Sequence, residues 1–142
     1  MSDEQNKEEK DVWMELLKQY PIDELVKFSE FNIQEKLMNN AWTVQEYIGH
    51  LEKERDNLER VIELRDKITG KRYDYYRFGF SKELKQSEIE KFYIPQDELV
   101  LKANAIVRKQ QYRVNFFAMC VKSLDKLQWN MKSFLESQRL GM

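Results

Sequence analysis

Between residues 37 and 62, apolar side chains recur at alternating steps of four and three. The positions are Leu37, Ala41, Val44, Ile48, Leu51, Arg55, Leu58 and Ile62, and only Arg55 among them is polar. A repeat of this kind is typical of a helix that packs along its length against a second helix. We therefore predict a helix from residue 22 to about residue 67, ended by Thr69-Gly70. The eight positions are called the predicted seam.

A second long helix is predicted from about residue 97 to residue 140. It follows the break at residues 94–97, where Pro95 and Asp97 suit a helix start. Four Gly and two Pro in 142 residues are too few for the turns of a sandwich or barrel. The predicted fold class is all-α, with two long helical segments joined by a short aromatic and basic region. For residues 70–94 the pattern does not decide between a short extended hairpin and the end of one helix followed by the beginning of the next.

The predicted regions are an acidic disordered tail (1–11), an N-terminal helical region (12–94) and a long C-terminal helix (95–142). A single cysteine, Cys120, excludes an intrachain disulfide and favours a reducing cytoplasm. No stretch approaches the roughly 18 uninterrupted apolar residues of a membrane-spanning helix. We therefore expect no membrane association.

The C-terminal helix carries apolar residues in two adjacent stripes. The first is Leu99, Ala103, Ile106, Phe117, Cys120, Leu124, Leu127, Met131 and Phe134, and the second is Val100, Val107, Val114, Val121 and Leu135. A helix that is apolar on more than one side needs more than one neighbour, which predicts self-association. The residues assigned to oligomerisation are Leu99, Ile106, Val114, Phe117, Val121, Leu124, Met131 and Phe134.

Motifs for catalysis are missing from the sequence. Gly70-Lys71 resembles the end of a phosphate-binding loop, but Arg65 stands at the required Gly and Arg72 at the required Ser or Thr. His50 is the one histidine, and no Cys or second His lies at ligand spacing. We predict that the protein is not an enzyme and that it uses neither a cofactor nor a metal.

Residues 67–85 combine cations with aromatic rings. The cations are Lys67, Lys71, Arg72, Arg77, Lys82 and Lys85, the acids are Asp74 and Glu83, and the rings are Tyr73, Tyr75, Tyr76, Phe78 and Phe80. Single-stranded nucleic acid suits this mixture, because cations follow the phosphates while bases stack on rings. The alternative is a buried aromatic cluster whose Lys and Arg side chains extend to water. Composition does not decide between the two.

Charge is unevenly distributed along the chain. Residues 1–35 hold four Lys and ten acids, whereas residues 36–142 hold 20 cations and 15 acids. Between Leu99 and Leu124 five cations occur without an acid, namely Lys102, Arg108, Lys109, Arg113 and Lys122. Uncompensated charge on one helix is repulsive, which predicts pairing with a polyanion or with the acidic residues 1–35 of the same or a neighbouring chain.

The segment Thr-Gly-Lys-Arg-Tyr-Asp-Tyr-Tyr, residues 69–76, resembles the Leu-Lys-Ala-Arg-Leu-Asp-Tyr-Tyr signature of the UvsY recombination mediators of tailed phages. The likeness continues through residues 87–107 and 112–134 to Gly141, and it covers about residues 20–142. Arg72 occupies the signature's Arg position. Gly70 stands where the signature has Lys, and Lys71 follows one residue later.

This resemblance implies a non-enzymatic, mostly helical protein that forms a ring-like homo-oligomer through its C-terminal helix. It further implies single-stranded DNA binding within region 12–94, and loading of a RecA-like recombinase onto strands coated by single-stranded DNA-binding protein. Such mediators act in phage recombination, repair and recombination-dependent replication, in the cytoplasm of an infected bacterial host. The residues assigned to DNA are Lys67, Lys71, Arg72, Tyr73, Tyr75, Tyr76, Arg77 and Lys82. The competing hypothesis is a coiled-coil scaffold or adaptor that binds only proteins.

Overall fold

The computed structural model describes residues 2–141, and no strand occurs among them. The helices are α1 (Asp3–Gln19), α2 (Ile22–Leu25), α3 (Ile33–Asp74), α4 (Gln86–Glu88) and α5 (Glu98–Leu140). A π-helical turn, Tyr75–Gly79, follows α3, and a second one, Ile89–Tyr93, leads into a 3-10 turn at Ile94–Gln96. The prediction of an all-α chain with two long helices is confirmed. None of the helices in residues 2–141 combines the length and apolar composition needed to cross a membrane.

Helix α1 corrects the expectation of a disordered tail over residues 1–11, because residues 3–11 are helical. Ser2 caps the helix: its hydroxyl accepts a hydrogen bond from the Gln5 backbone N–H at 3.2 Å. Asp3 and Glu4 lie in the first turn, where negative charge interacts favourably with the helix dipole. Average composition does not register such capping, which is why a polar segment was expected to be unstructured. Met1 lies outside the described residues.

Helix α3 begins later and ends later than predicted. A break separates α2 from α3. Within it, the Ser29 N–H donates a hydrogen bond to Asn32 Oδ1 at 2.7 Å. At the other end, the predicted stop at Thr69-Gly70 is wrong, since the helix continues to Asp74. Glycine lowers helix stability by only about 0.5–1 kcal/mol relative to alanine, which is too little to end this helix, because Arg72 in the following turn is bonded to Asp97.

Helix α5 begins where the sequence predicts. Asp97 is extended in backbone conformation, and its Oδ1 accepts hydrogen bonds from the N–H groups of Leu99 (3.0 Å) and Val100 (3.1 Å). This is the arrangement of an acidic N-cap, and it satisfies two of the helix's otherwise unpaired donors. The helix then runs for 43 residues.

The chain divides into two units, which we describe separately. The first comprises Met1–Glu54 with Tyr112–Met142, and the second comprises Arg55–Gln111. The core of the first unit contains buried side chains from α1, α2, α3 and α5, among them Leu16, Ile22, Ile33, Tyr47, Phe116, Phe117, Cys120, Leu124, Leu127 and Met131. Aromatic edge-to-face contacts join Tyr20 to Phe117 and Trp13 to Phe116, with ring centroids 5.0 and 5.8 Å apart.

The buried row of α3 in the first unit differs from the predicted seam. The buried positions are Ile33, Asn40, Tyr47, Leu51 and Glu54, while Ala41 is exposed and Ile48 is half-buried. The seven-residue repeat was correct, but the face is rotated by one residue. Asn40 and Glu54 are buried because α5 supplies polar partners for both.

Two contacts provide those partners. Asn40 Nδ2 donates to Gln128 Oε1 at 2.8 Å, and to the Leu124 carbonyl at 3.4 Å. Arg113 donates to both oxygens of Glu54, from Nη2 at 2.8 Å and from Nε at 3.2 Å. The Glu54 carboxylate raises the pKa of Arg113 through these hydrogen bonds. Buried polar groups with such partners fix one register between the two helices.

Four of the eight residues assigned to oligomerisation are buried inside the chain, and two more are half-buried. Val114, Phe117, Leu124 and Met131 are buried. Val121 is half-buried, and Phe134, also half-buried, packs edge-to-face on Phe28 at 5.7 Å. For the four buried residues the assignment is therefore corrected: they face intrachain neighbours, and α1 and α2 add neighbours that the two-stripe argument did not include. Leu99 and Ile106 remain about half exposed.

Candidate nucleic-acid interface

The second unit is organised around the buried carboxylate of Asp97. Its Oδ2 accepts hydrogen bonds from Arg72 Nε at 2.8 Å and from the Tyr76 hydroxyl at 2.6 Å. Its Oδ1 accepts the two backbone N–H groups that open α5. One side chain therefore caps α5 and fixes the last turn of α3 to it. From the sequence, Asp97 was predicted only to lie at a helix start.

These hydrogen bonds determine the protonation states. Burial alone would raise the pKa of Asp97, but hydrogen bonds from Tyr76, Arg72 and the Val100 N–H outweigh burial and hold that pKa below its usual value. The pKa of Tyr76 is raised, chiefly because its hydroxyl donates to the Asp97 carboxylate. The pKa of Arg72 is raised for the same reason. The trio is thus a carboxylate, a neutral phenol and a guanidinium at neutral pH.

An aromatic cluster lies beside this trio. Tyr76 contacts Tyr75 and Tyr93, each with ring centroids 5.2 Å apart, and Phe80 lies 5.7 Å from Tyr76 and 5.6 Å from Tyr93. The Arg72 guanidinium carbon is 4.4 Å from the centre of the Tyr75 ring. Tyr76 and Phe80 therefore pack within the chain, as the alternative of an aromatic cluster predicted, but they are half-buried and not buried. Tyr93, which lies outside residues 67–85, joins them.

Other rings and cations of the same segment face solvent. Phe78 is 77% exposed, and the Arg77 guanidinium lies 5.7 Å from the centre of its ring. Arg77 Nη1 also donates to the Tyr73 hydroxyl at 3.3 Å. Tyr75 is exposed as well. A surface groove of about 810 Å³ is lined by Arg77, Phe78, Glu83, Leu84, Lys85 and Gln86. Phe78 and Lys85 were counted in the sequence but were not among the residues assigned to the site.

The remaining predicted DNA-binding residues are lysines on the surface. Lys67 and Lys71 are exposed and lie four residues apart on α3, so their side chains share one face of the helix. Lys82 is exposed in the loop after the first π-helical turn. Of the eight predicted residues, Arg72, Tyr75 and Tyr76 form one contact network, and Tyr73 pairs with Arg77. The three lysines flank that segment along the chain.

Part of the basic stretch of α5, residues 99–124, is paired within the chain. Arg113 is bound to Glu54, which lies outside residues 1–35, so for this cation the expected acidic partner was wrong. Lys102, Lys109 and Lys122 are exposed. Within residues 2–141, no three His, Cys, Asp or Glu side chains are grouped so as to hold a metal ion.

No known protein family, curated protein or solved structure matches this chain. The resemblance to the UvsY mediators therefore rests on residues 69–76 and on the weaker likeness over the rest of residues 20–142. Arg72, the matched signature cation, is the residue that the structure binds to Asp97.

Proposed function

We propose that this protein binds single-stranded DNA and acts as a recombination mediator of the UvsY type. The observation that carries the proposal is the exposed surface formed by Lys71, Arg77, Tyr75 and Phe78 at the end of α3 and in the π-helical turn. Rings that are open to solvent beside cations offer stacking to bases and charge to phosphates together.

Within this proposal the predicted residues have two different roles. Lys67, Lys71, Arg77 and Lys82 are the phosphate-binding cations, because they are exposed. Arg72 and Tyr76 are positioning residues: their hydrogen bonds to Asp97 hold the ring platform in place. Tyr75 and Phe78 are exposed and provide stacking surface. Tyr73, which is half-buried and accepts a hydrogen bond from Arg77, is assigned to stacking with them.

The mediator role draws on the resemblance and on multivalency. A ring-like homo-oligomer presents one such patch per subunit to the same strand, and later contacts are then effectively intramolecular. A strand held in this way is strained, which displaces single-stranded DNA-binding protein and gives access to a RecA-like recombinase. The site of action is the cytoplasm of an infected bacterial host, in recombination, repair and recombination-dependent replication.

A fluorescence-anisotropy titration with labelled oligo-dT at several salt concentrations tests DNA binding. The wild type should bind, and its affinity should fall steeply with salt. Lys71→Ala/Arg77→Ala should bind more weakly and flatten the log–log salt slope by about 1.4, roughly 0.7 per lost phosphate contact. Lys7→Ala/Lys10→Ala, which removes two α1 lysines, is the matched control and should behave as wild type. No binding of oligo-dT at low salt would refute the proposal.

The scaffold hypothesis keeps one supporting observation, the packing of Tyr76, Phe80 and Tyr93 on one another within the second unit. A protein that uses its aromatics only for its own core needs no DNA. The same titration separates the two functions, because a scaffold gives no salt-dependent oligo-dT signal.

A further inference from the structure

Helix α3 and the turn before it present a second row of residues, on the side away from the core of the first unit. The row is Phe31, Glu35, Met38, Trp42, Gln45 and Gly49, and we call it the outer α3 row. Four of these positions precede a buried residue of α3 by two, and the other two, Glu35 and Trp42, precede the half-buried Leu37 and Val44. A step of two residues turns a position by about 200° around the helix. Phe31, Met38 and Trp42 are 91%, 79% and 78% exposed.

Steps of four and three are the pattern of a helix that packs against another helix. Here the pattern places three large apolar side chains in water, which indicates an interaction surface. Gly49 lies on the same row, in the middle of α3, and a Cβ built on it would meet nothing within 4 Å. No contact with the described residues 2–141 requires a glycine there, and the missing side chain leaves room for the close approach of a neighbouring helix.

Between the exposed lysines Lys27 and Lys53, the exposed charged side chains around this row are all acidic. Glu30, Glu35 and Glu46 are exposed, and no exposed Lys or Arg occurs between residues 28 and 52. Lys36, which is half-buried, donates its ammonium hydrogen bonds to the carbonyl groups of Leu25 and Lys27. The occupant of the row should therefore be a helix with an apolar stripe flanked by cations.

The chain carries such a helix in the first turns of α5. Leu99, Lys102, Ile106 and Lys109 follow steps of three, four and three, and all four are exposed. Leu99 and Ile106 are 50% and 52% exposed. We call these four residues the outer α5 row. Two of them are the members of the predicted oligomerisation set that the structure leaves most exposed.

We propose that the outer α3 row of one copy packs against the outer α5 row of a second copy. The inference rests on the homo-oligomer of the proposed function, and it names the two surfaces that join its subunits. Because the surfaces differ, the contact is heterologous, and each copy keeps one free surface of each kind. Repetition of such a contact gives closed rings or open filaments.

Charge reversal on each surface tests the pairing. Glu35→Lys/Glu46→Lys makes both rows basic, and Lys102→Glu/Lys109→Glu makes both rows acidic. Each variant alone should raise the dissociation constant of the assembly at least tenfold in sedimentation velocity or light scattering. An equimolar mixture should assemble again, and so should a chain that carries all four substitutions. Because Glu46 lies 3.8 Å from His50, circular dichroism is used to check that each variant is folded.

Two controls make the result specific. Glu59→Lys/Glu63→Lys reverses two exposed acids elsewhere on α3 and should leave assembly unchanged. Trp42→Ala should raise the dissociation constant of the assembly at least tenfold. Trp129→Ala, at an exposed tryptophan of α5, should leave that constant unchanged. Trp42→Ala should still bind oligo-dT, with a salt slope that corresponds to the phosphate contacts of a single subunit. Loss of the interface and loss of DNA binding are therefore separate results.

Three results would overturn the inference. A wild-type protein that stays monomeric at all concentrations has no such interface. Folded charge-reversed variants that assemble as the wild type, or that fail to assemble when mixed, show that these rows do not pair. Dissociation by Trp129→Ala with no effect of Trp42→Ala would place the interface on the second half of α5 instead.

Discussion

Arg72 Nε lies 2.8 Å from Asp97 Oδ2, and this ion pair connects the end of α3 to the start of α5. The Asp97 side chain is 3% exposed, while that of Arg72 is 27% exposed. The cation that the family signature would assign to DNA is thus held by a buried acid of the same unit. The hydrogen bond to Asp97 holds Arg72 beside the Tyr75 ring, whereas Lys71 and Arg77 are more exposed.

Asp97→Asn should lower the free energy of unfolding at neutral pH. It should also make that free energy less dependent on pH in the acidic range. The pKa of Asp97 is depressed in the folded protein, so its carboxylate stabilises the fold above the unfolded-state pKa of about 3.9. That contribution is lost as pH falls through the lower, folded-state pKa. Urea denaturation between pH 7 and pH 2.5 should therefore show the wild type and Asp97→Asn converging below about pH 4.

Two further variants check this assignment. Tyr76→Phe removes one hydrogen bond to the carboxylate and should cost about 1.5 kcal/mol, the low end for a bond to a charged group, because Tyr76 is half-buried. Asp74→Asn, at an exposed acid of the same segment, should change neither stability nor its acid dependence. If Asp97→Asn kept the wild-type pH profile, the carboxylate would not be the acid-sensitive group.

Phe78→Ala should weaken oligo-dT binding without destabilising the protein. The ring is exposed, so its removal takes nothing from the core, while a stacked base contributes about 1–3 kcal/mol, or roughly 5- to 150-fold in affinity. The salt slope should stay at the wild-type value, because no cation is removed. Phe92→Ala, at an exposed ring outside the segment, is the control and should bind normally. Equal losses in both variants would argue against stacking on Phe78.

Local signals in the sequence predicted part of the fold well. The start of α5 was found because an acidic N-cap acts through backbone groups two and three residues away. The seven-residue repeat of α3 was found for the same reason, since it needs only neighbouring turns of one helix. The face that is buried was not found. Asn40 and Glu54 become core residues through partners 88 and 59 residues away, and periodicity contains no information about them.

The candidate site shows the same division. Composition indicated a segment rich in rings and cations, and the structure leaves Phe78, Tyr75, Lys71 and Arg77 exposed within it. Composition did not indicate which rings pack together, because their packing depends on Asp97, which lies 21 residues beyond Tyr76. The signature motif marks Arg72 as a notable residue without distinguishing a phosphate ligand from a structural ion pair.

Glu54→Gln should destabilise the first unit by about 1–3 kcal/mol. The Glu54 carboxylate is 9% exposed and accepts two hydrogen bonds from Arg113, whose own side chain is 37% exposed. Loss of one partner from a fully buried pair costs about 3–5 kcal/mol, and access of water to Arg113 reduces that figure. Thermal and urea unfolding measure the effect. Glu52→Gln, at an exposed neighbour, should be neutral, and an equal loss there would show that the Arg113 contact is unimportant.

Gly70→Ala should raise the free energy of unfolding by about 0.5–1 kcal/mol, because alanine favours the helix interior and a Cβ at this position meets nothing within 4 Å. Gly79→Ala is a control without that gain, since Gly79 is the last residue of the π-helical turn and not a position in the interior of an α-helix. Gly70→Lys should bring the same stabilisation and, in addition, place a cation where the UvsY signature has one. In the oligo-dT titration Gly70→Lys should then bind more tightly than Gly70→Ala and steepen the salt slope by about 0.7. Equal DNA affinity for the alanine and lysine variants would mean that the strand does not pass this turn of α3.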